Sequence, residues 1–144
     1  MAIDLRAHPD TWHAGRELDA SVAEAMGLDV ISGTEFLNAA GQPFFDVGYR
    51  INEYLCKKLP PYSTTWEAME LAIRWLCEAV DMVDLGYNRH NADSEKWACE
   101  LDYGPEAREW CHGIAPTAPL AVARALLIYA RRTKGDRTPW HAAS

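Results

Sequence analysis

A chain of 144 residues with a formal net charge of −7 and 49% hydrophobic residues is long enough for one buried core and too apolar for disorder. No basic face offsets the acidic balance, which excludes a nucleic-acid polymer as the expected partner. The opening Met1-Ala2-Ile3-Asp4-Leu5-Arg6 has no apolar run of signal-peptide or membrane-span length, so no membrane is expected and the anticipated setting is a cytosol.

Residues 1–13 read as an N-terminal arm punctuated by His8-Pro9-Asp10. A helix is predicted from Gly15 to Met26, where Leu18, Val22, Ala25 and Met26 recur on one face and Gly27 suits the C-terminal stop. Leu28 to Ser32 is short, apolar and β-branched, the composition of a strand. From Gly33 the pattern weakens. A strand is predicted over Phe44 to Ile51, after the Gly41-Gln42-Pro43 turn, inside an excursion with the character of a mobile loop.

A second helix is predicted from Thr64 to Met82, with Thr64 and Glu67 at capping-box spacing. Trp66, Met69, Ile73, Leu76, Cys77 and Val80 form one apolar stripe. Ala68, Ala72, Trp75, Ala79 and Met82 form part of a second, so the helix is expected to be buried on two sides, or to pack on a sheet with one face and on a partner with the other. Three strands follow, over Val83–Arg89, Glu95–Tyr103 and Glu109–Ala115. The middle one alternates, with Trp97, Cys99, Leu101 and Tyr103 on one face and Lys96, Ala98, Glu100 and Asp102 on the other. A third helix runs from Thr117, its expected N-cap, to Arg132. The reading is one domain over 1–144, with a core at 15–134, a variable excursion at 33–59 and a tail at 135–144. Its element order predicts an α+β fold of helices on a largely antiparallel sheet.

No catalytic motif is present. Cys56, Cys77, Cys99 and Cys111 are widely spaced, without the close pairs that structural zinc prefers. They are expected to be free, buried and reduced. Cys111 and His112 are neighbours on a strand and so point to opposite faces. Ser63 lacks a nucleophile elbow and reads as part of a helix cap, and no phosphate-binding glycine loop occurs. Asp81, Asp84, Glu100 and Asp102 read as a solvated rim. The expectation is a protein that is not an enzyme, with no cofactor and no metal.

The aromatic and arginine supply is more suggestive. Tyr62, Trp66, Trp75, Tyr87, Trp97 and Trp110 lie near the ends or faces of core elements, with Arg74, Arg89, Arg108 and Arg124 among them. Flat rings stack on bases and guanidinium forks hold phosphate, which is what a nucleotide requires. The candidate ligand-binding residues are Tyr62, Trp75, Arg89, Trp97, Trp110 and Arg124. The alternative is that the tryptophans are core and the arginines rim.

Three segments, in this order, carry a resemblance. They are Arg16-Glu17-Leu18-Asp19-Ala20 with Val22-Ala23-Glu24-Ala25-Met26-Gly27, then Pro61-Tyr62-Ser63-Thr64, then Thr117-Ala118-Pro119-Leu120-Ala121 with Arg124-Ala125-Leu126. Together they resemble the phage ABA-sandwich domain family, from which the chain departs by extra length between Gly33 and Leu59. The resemblance implies a helix–sheet–helix sandwich, a phage origin and residence in the bacterial host cytosol, and it carries over no catalytic residue. The function expected is that of a phage accessory protein interfering with host immunity by sequestering a nucleotide second messenger. The alternative is a protein-interaction module that blocks a host or phage protein. The second stripe of the second helix, around Trp75, points to a homo-oligomer.

Overall fold

The computed structural model of the protein describes residues 3–135, so the expected tail beyond Gly135 lies outside the described residues. The elements are α1 (Arg16–Ala25), β1 (Asp29–Leu37), β2 (Pro43–Arg50), β3 (Cys56–Lys58), α2 (Trp66–Ala79), β4 (Met82–Tyr87), β5 (Trp97–Tyr103), β6 (Glu109–Ala115) and α3 (Ala118–Thr133). They form an α+β fold with two three-stranded antiparallel sheets, ordered β1-β2-β3 and β4-β5-β6. Helix and sheet alternate along the chain.

The second sheet follows its sequence pattern closely. Cys99, Leu101 and Tyr103 of β5 are buried, as are Cys111, Gly113 and Ala115 of β6, while Ala98, Trp110 and His112 face out. The buried face receives α3, which also packs against α1 and α2. Thirteen of the sixteen residues of α3 are buried, so the helix is covered on every side rather than along one stripe. Small residues permit this approach. A Cβ on Gly113 would overlap the Ala121 carbonyl oxygen and the Ala125 amide, so β6 and α3 meet backbone to backbone there.

Residues 33–58, expected as a loop-like excursion around one strand, form most of the first sheet, and the strand predicted over Phe44 to Ile51 is β2. β1 continues past Ser32 through an irregularity in register between Ile31 and Thr34, where Gly33 has φ 67°. An extra residue shifts the side-chain alternation, which hid the strand in the sequence. β3 has only three residues and shows no period of its own.

The helix starts also differ from those the sequence predicts. α2 begins at Trp66 with Thr65 as N-cap, its hydroxyl accepting the Ala68 N–H at 3.2 Å, so the Thr64–Glu67 capping box does not form. Thr117 holds the N-cap position of α3 in extended conformation, but its side chain makes no capping bond. α2 is buried along one broad face, through Ala68, Met69, Ala72 and Leu76. Trp75 at the edge of that face is taken up within the chain by Tyr129, with ring centroids 6.4 Å apart. Cys77, placed in an apolar stripe by spacing, is exposed, because it lies on the side of α2 that no described residue covers.

Two polar knots involve the segments that carry the family resemblance: one joins the first two, and the other binds the third to the chain before α1 and to β6. In the first, the buried Asp19 carboxylate accepts from the Ser63 hydroxyl at 2.7 Å, the Ser63 amide at 2.8 Å and Arg16 Nη1 at 3.1 Å. The Ser63 oxygen in turn accepts the Gly15 N–H at 3.0 Å. Ser63 is therefore not a cap of α2; it fastens the approach to α2 onto the start of α1. In the second knot, buried Arg124 donates to the carbonyl oxygens of Ile114 at 2.7 Å and of Trp12 at 3.0 and 3.1 Å. The stretch before α1, read as an arm, is thus part of the core, with Trp12 buried and its Nε1 donating to the Asp4 carbonyl.

No helix among the described residues is long and apolar enough to cross a membrane.

Candidate ligand-binding surface

One corner of the second sheet gathers aromatic rings at the surface. Tyr87 ends β4 and Trp97 opens β5, and the two are cross-strand partners. Their ring centroids lie 5.1 Å apart. Trp66, the first residue of α2, meets Trp97 edge to face at 5.3 Å and 78°. Position in the fold explains their exposure. The buried face of the sheet runs past the region that the helices cover, so its last rings are only partly enclosed. Trp97 is half-buried, and Trp66 and Tyr87 are each 57% exposed.

The loop between Tyr87 and Trp97 supplies polar groups beside the rings. The Asn88 amide donates to the Lys96 carbonyl at 2.9 Å and closes the loop, and the Asn88 side-chain oxygen accepts the His90 amide. Lys96 Nζ donates to the Arg89 carbonyl at 2.7 Å, and Asn91 Nδ2 to the Glu95 carbonyl at 3.1 Å. The loop is therefore braced by its own side chains. It presents the exposed Arg89, whose Nε reaches His90 Nε2 at 3.4 Å. The three rings offer a stacking surface, and Arg89 lies in the loop that joins Tyr87 to Trp97.

Of the six residues singled out from the sequence, only Arg89 and Trp97 share this corner. Tyr62 is buried beside Tyr49 and Asp19; burial first, then those two neighbours, push its phenol up to about 12. Trp75 packs on Tyr129, which in turn meets Tyr103 at 4.9 Å. Trp110 lies on the outer face of the second sheet, stacked on His112 at 5.4 Å and 12°. Arg124 spends its donors on backbone carbonyls inside the fold. Sequence reasoning left out Trp66 and Tyr87 as ligand residues. The signal for Tyr87 was its place at the far end of a strand whose partner begins at Trp97. Trp66 was assigned to the core stripe, but the first turn of a helix can overhang the layer below it.

Cys99 and Cys111 face the interior, and burial raises both thiols to about 12. Among the described residues, no group of three or more His, Cys, Asp or Glu side chains is arranged to hold a metal ion.

In fold the chain is similar to a phage protein from Bacillus cereus ATCC 14579, known from a 2.0 Å crystal structure. The TM-score is 0.56 at 14% identity, over 81% of this chain and 92% of that one. The likeness is one of fold. No family model and no curated protein sequence matches the chain, so the sandwich family named from its three segments stands as a resemblance.

Proposed function

We propose that the chain is a phage accessory protein, not an enzyme, that binds a nucleotide-derived signal of its bacterial host and holds it out of circulation in the host cytosol. The observation that carries this reading is the contact cluster of Trp66, Trp97 and Tyr87, two of whose rings are more than half exposed, with Arg89 in the loop between Tyr87 and Trp97. Stacking a base on such rings stabilises a complex by about 1–3 kcal/mol per base, and an arginine at the margin adds a fork for phosphate. A net charge of −7 disfavours a long polyanion but leaves room for a small ligand held by one local donor. The fold likeness to a phage protein supports the origin. Sequestration asks only for affinity, which suits a surface built from rings and a guanidinium. A twofold pair of chains would offer two such platforms to a ligand with two bases, the form in which we propose a homo-oligomer.

A second reading has its own observation. Leu37 and Phe45, at the far end of the β1–β2 hairpin, are 69% and 73% exposed, which suits a module that grips another protein.

Thermal shift and tryptophan fluorescence with cyclic dinucleotides, linear dinucleotides and ADP-ribose derivatives test the first reading. One class should raise the unfolding midpoint and quench fluorescence, Trp66→Ala should abolish both effects, and the ligand should be recovered unaltered by chromatography. Silence across the panel, or full binding by Trp66→Ala, overturns it. Conversion of the ligand would show an enzyme.

A further inference from the structure

Among the described residues no layer covers the outer face of the β4-β5-β6 sheet, although the chain's apolar groups do not all avoid it. Three cross-strand rows make up this face: Met82–Asp102–Trp110, Asp84–Glu100–His112 and Gly86–Ala98–Ile114. Met82 and Trp110 are 44% and 54% exposed, and open space surrounds the position where Gly86 would carry a Cβ. Asp84 and Glu100 stand directly opposite each other, with Asp102 two residues beyond Glu100 on the same strand face. Like charges opposed across strands destabilise a sheet. None of the three carboxylates forms an ion pair among the described residues.

We infer that this face docks a basic amphipathic segment of another protein, whose apolar side lies over Met82, Trp110 and Ile114 and whose Lys or Arg side chains meet Asp84, Glu100 and Asp102. Charge selects this occupant. A second copy laid on the same face by a twofold axis would bring carboxylates against carboxylates, whereas a cationic segment relieves the repulsion already present. The exposed indole, at one corner of the face, supplies a large aromatic contact for the apolar side of such a segment. The low side chains of Gly86 and Ala98 let a partner's backbone come close at one end of the face. The nucleotide platform belongs to the opposite face of the sheet, so this inference stands apart from it.

A fluorescently labelled Leu/Lys amphipathic helical peptide is the probe, with a Leu/Glu counterpart and oligolysine as controls. Anisotropy should show binding of the Leu/Lys peptide, weaker binding of oligolysine and none of the Leu/Glu peptide. Affinity should fall by about tenfold in Trp110→Ala and in the double variant Asp84→Asn/Glu100→Gln. It should stay unchanged in Glu24→Gln/Glu78→Gln, a matched charge change on exposed helix positions. The Asp84→Asn/Glu100→Gln protein should also melt higher than the parent, which shows that it is folded. Absence of binding, or equal weakening in the two double variants, overturns the inference. So does light scattering that shows a dimer of the parent chain which Trp110→Ala dissociates, because a second copy would then be the occupant.

Discussion

Ser63 and Asp19, 44 residues apart, share a 2.7 Å hydrogen bond with no access to solvent. The bond joins the Pro-Tyr-Ser-Thr turn to the first turn of α1, and Arg16 completes it from the rim. A buried carboxylate left without its partners is costly, by about 3–5 kcal/mol when a partner of a buried ion pair is removed. Asp19→Ala removes the carboxylate and leaves the Ser63 amide, the Ser63 hydroxyl and the Arg16 guanidinium short of an acceptor. We expect it to lower stability by about 3 kcal/mol, and Ser63→Ala by about 1–3 kcal/mol. The double variant should cost clearly less than the sum, because the two residues act together. Urea unfolding measures all three, and strict additivity would show that the bond contributes nothing.

The two helix caps differ in a way that stability measurements resolve. Thr65→Ala removes a side-chain acceptor from the Ala68 amide and should cost about 1 kcal/mol. Thr117→Ala removes no capping bond, so its midpoint should stay near that of the parent. A larger loss at Thr117 than at Thr65 would contradict the assignment.

Gly113→Ala should be among the most damaging single substitutions. The added methyl overlaps backbone atoms of α3, which cannot swing aside as a side chain can. Overpacking of this kind costs typically about 1–3 kcal/mol and sometimes more, and we expect the upper end. Gly86→Ala, on the same sheet but facing open space, is the control. Equal midpoints for the two variants would disprove the close approach.

The thiols should divide by burial. Cys77 is exposed and Cys56 half-buried, while Cys99 and Cys111 are buried with thiols raised to about 12. A raised value keeps the protonated, unreactive form dominant at pH 8. With a chromogenic disulfide at that pH, Cys77 should react at once and Cys56 more slowly. Cys99 and Cys111 should react only after unfolding. Fast reaction of a Cys77→Ser/Cys56→Ser protein would refute the interior placement.

Legibility in the sequence tracked burial. β5 and β6 were readable because one face of each is buried and the other wet, which imposes a period of two; the predicted Glu109–Ala115 strand is the observed β6. α3 was readable as a helix, though not as one enclosed on all sides, because its second face is built from alanines that register weakly as apolar. The first sheet was legible in part: the strand predicted over Phe44 to Ile51 is β2 and Leu28 to Ser32 holds the start of β1, but the rest was hidden because the strands are only half-covered and one is interrupted near Gly33. The candidate surface was half legible. Aromatic supply can be counted in a sequence, but the meeting of Trp66 with Trp97 depends on how α2 crosses the sheet. No spacing rule encodes that crossing. The arginines illustrate the same limit: Arg89 lies in an exposed loop, whereas Arg124 is consumed by the backbone of Ile114 and Trp12.

The bonds from Arg124 to Trp12 span 112 residues. During synthesis the Trp12 carbonyl therefore has no guanidinium to accept from until residue 124 has been made. The second sheet is likewise without its covering helix until then. Such distant closures slow folding, since chain entropy must be lost before the contacts that compensate for it exist. The nascent chain spends its time on the ribosome with one face of that sheet bare, and α3, made after the sheet, is the piece that lets the rest become a domain.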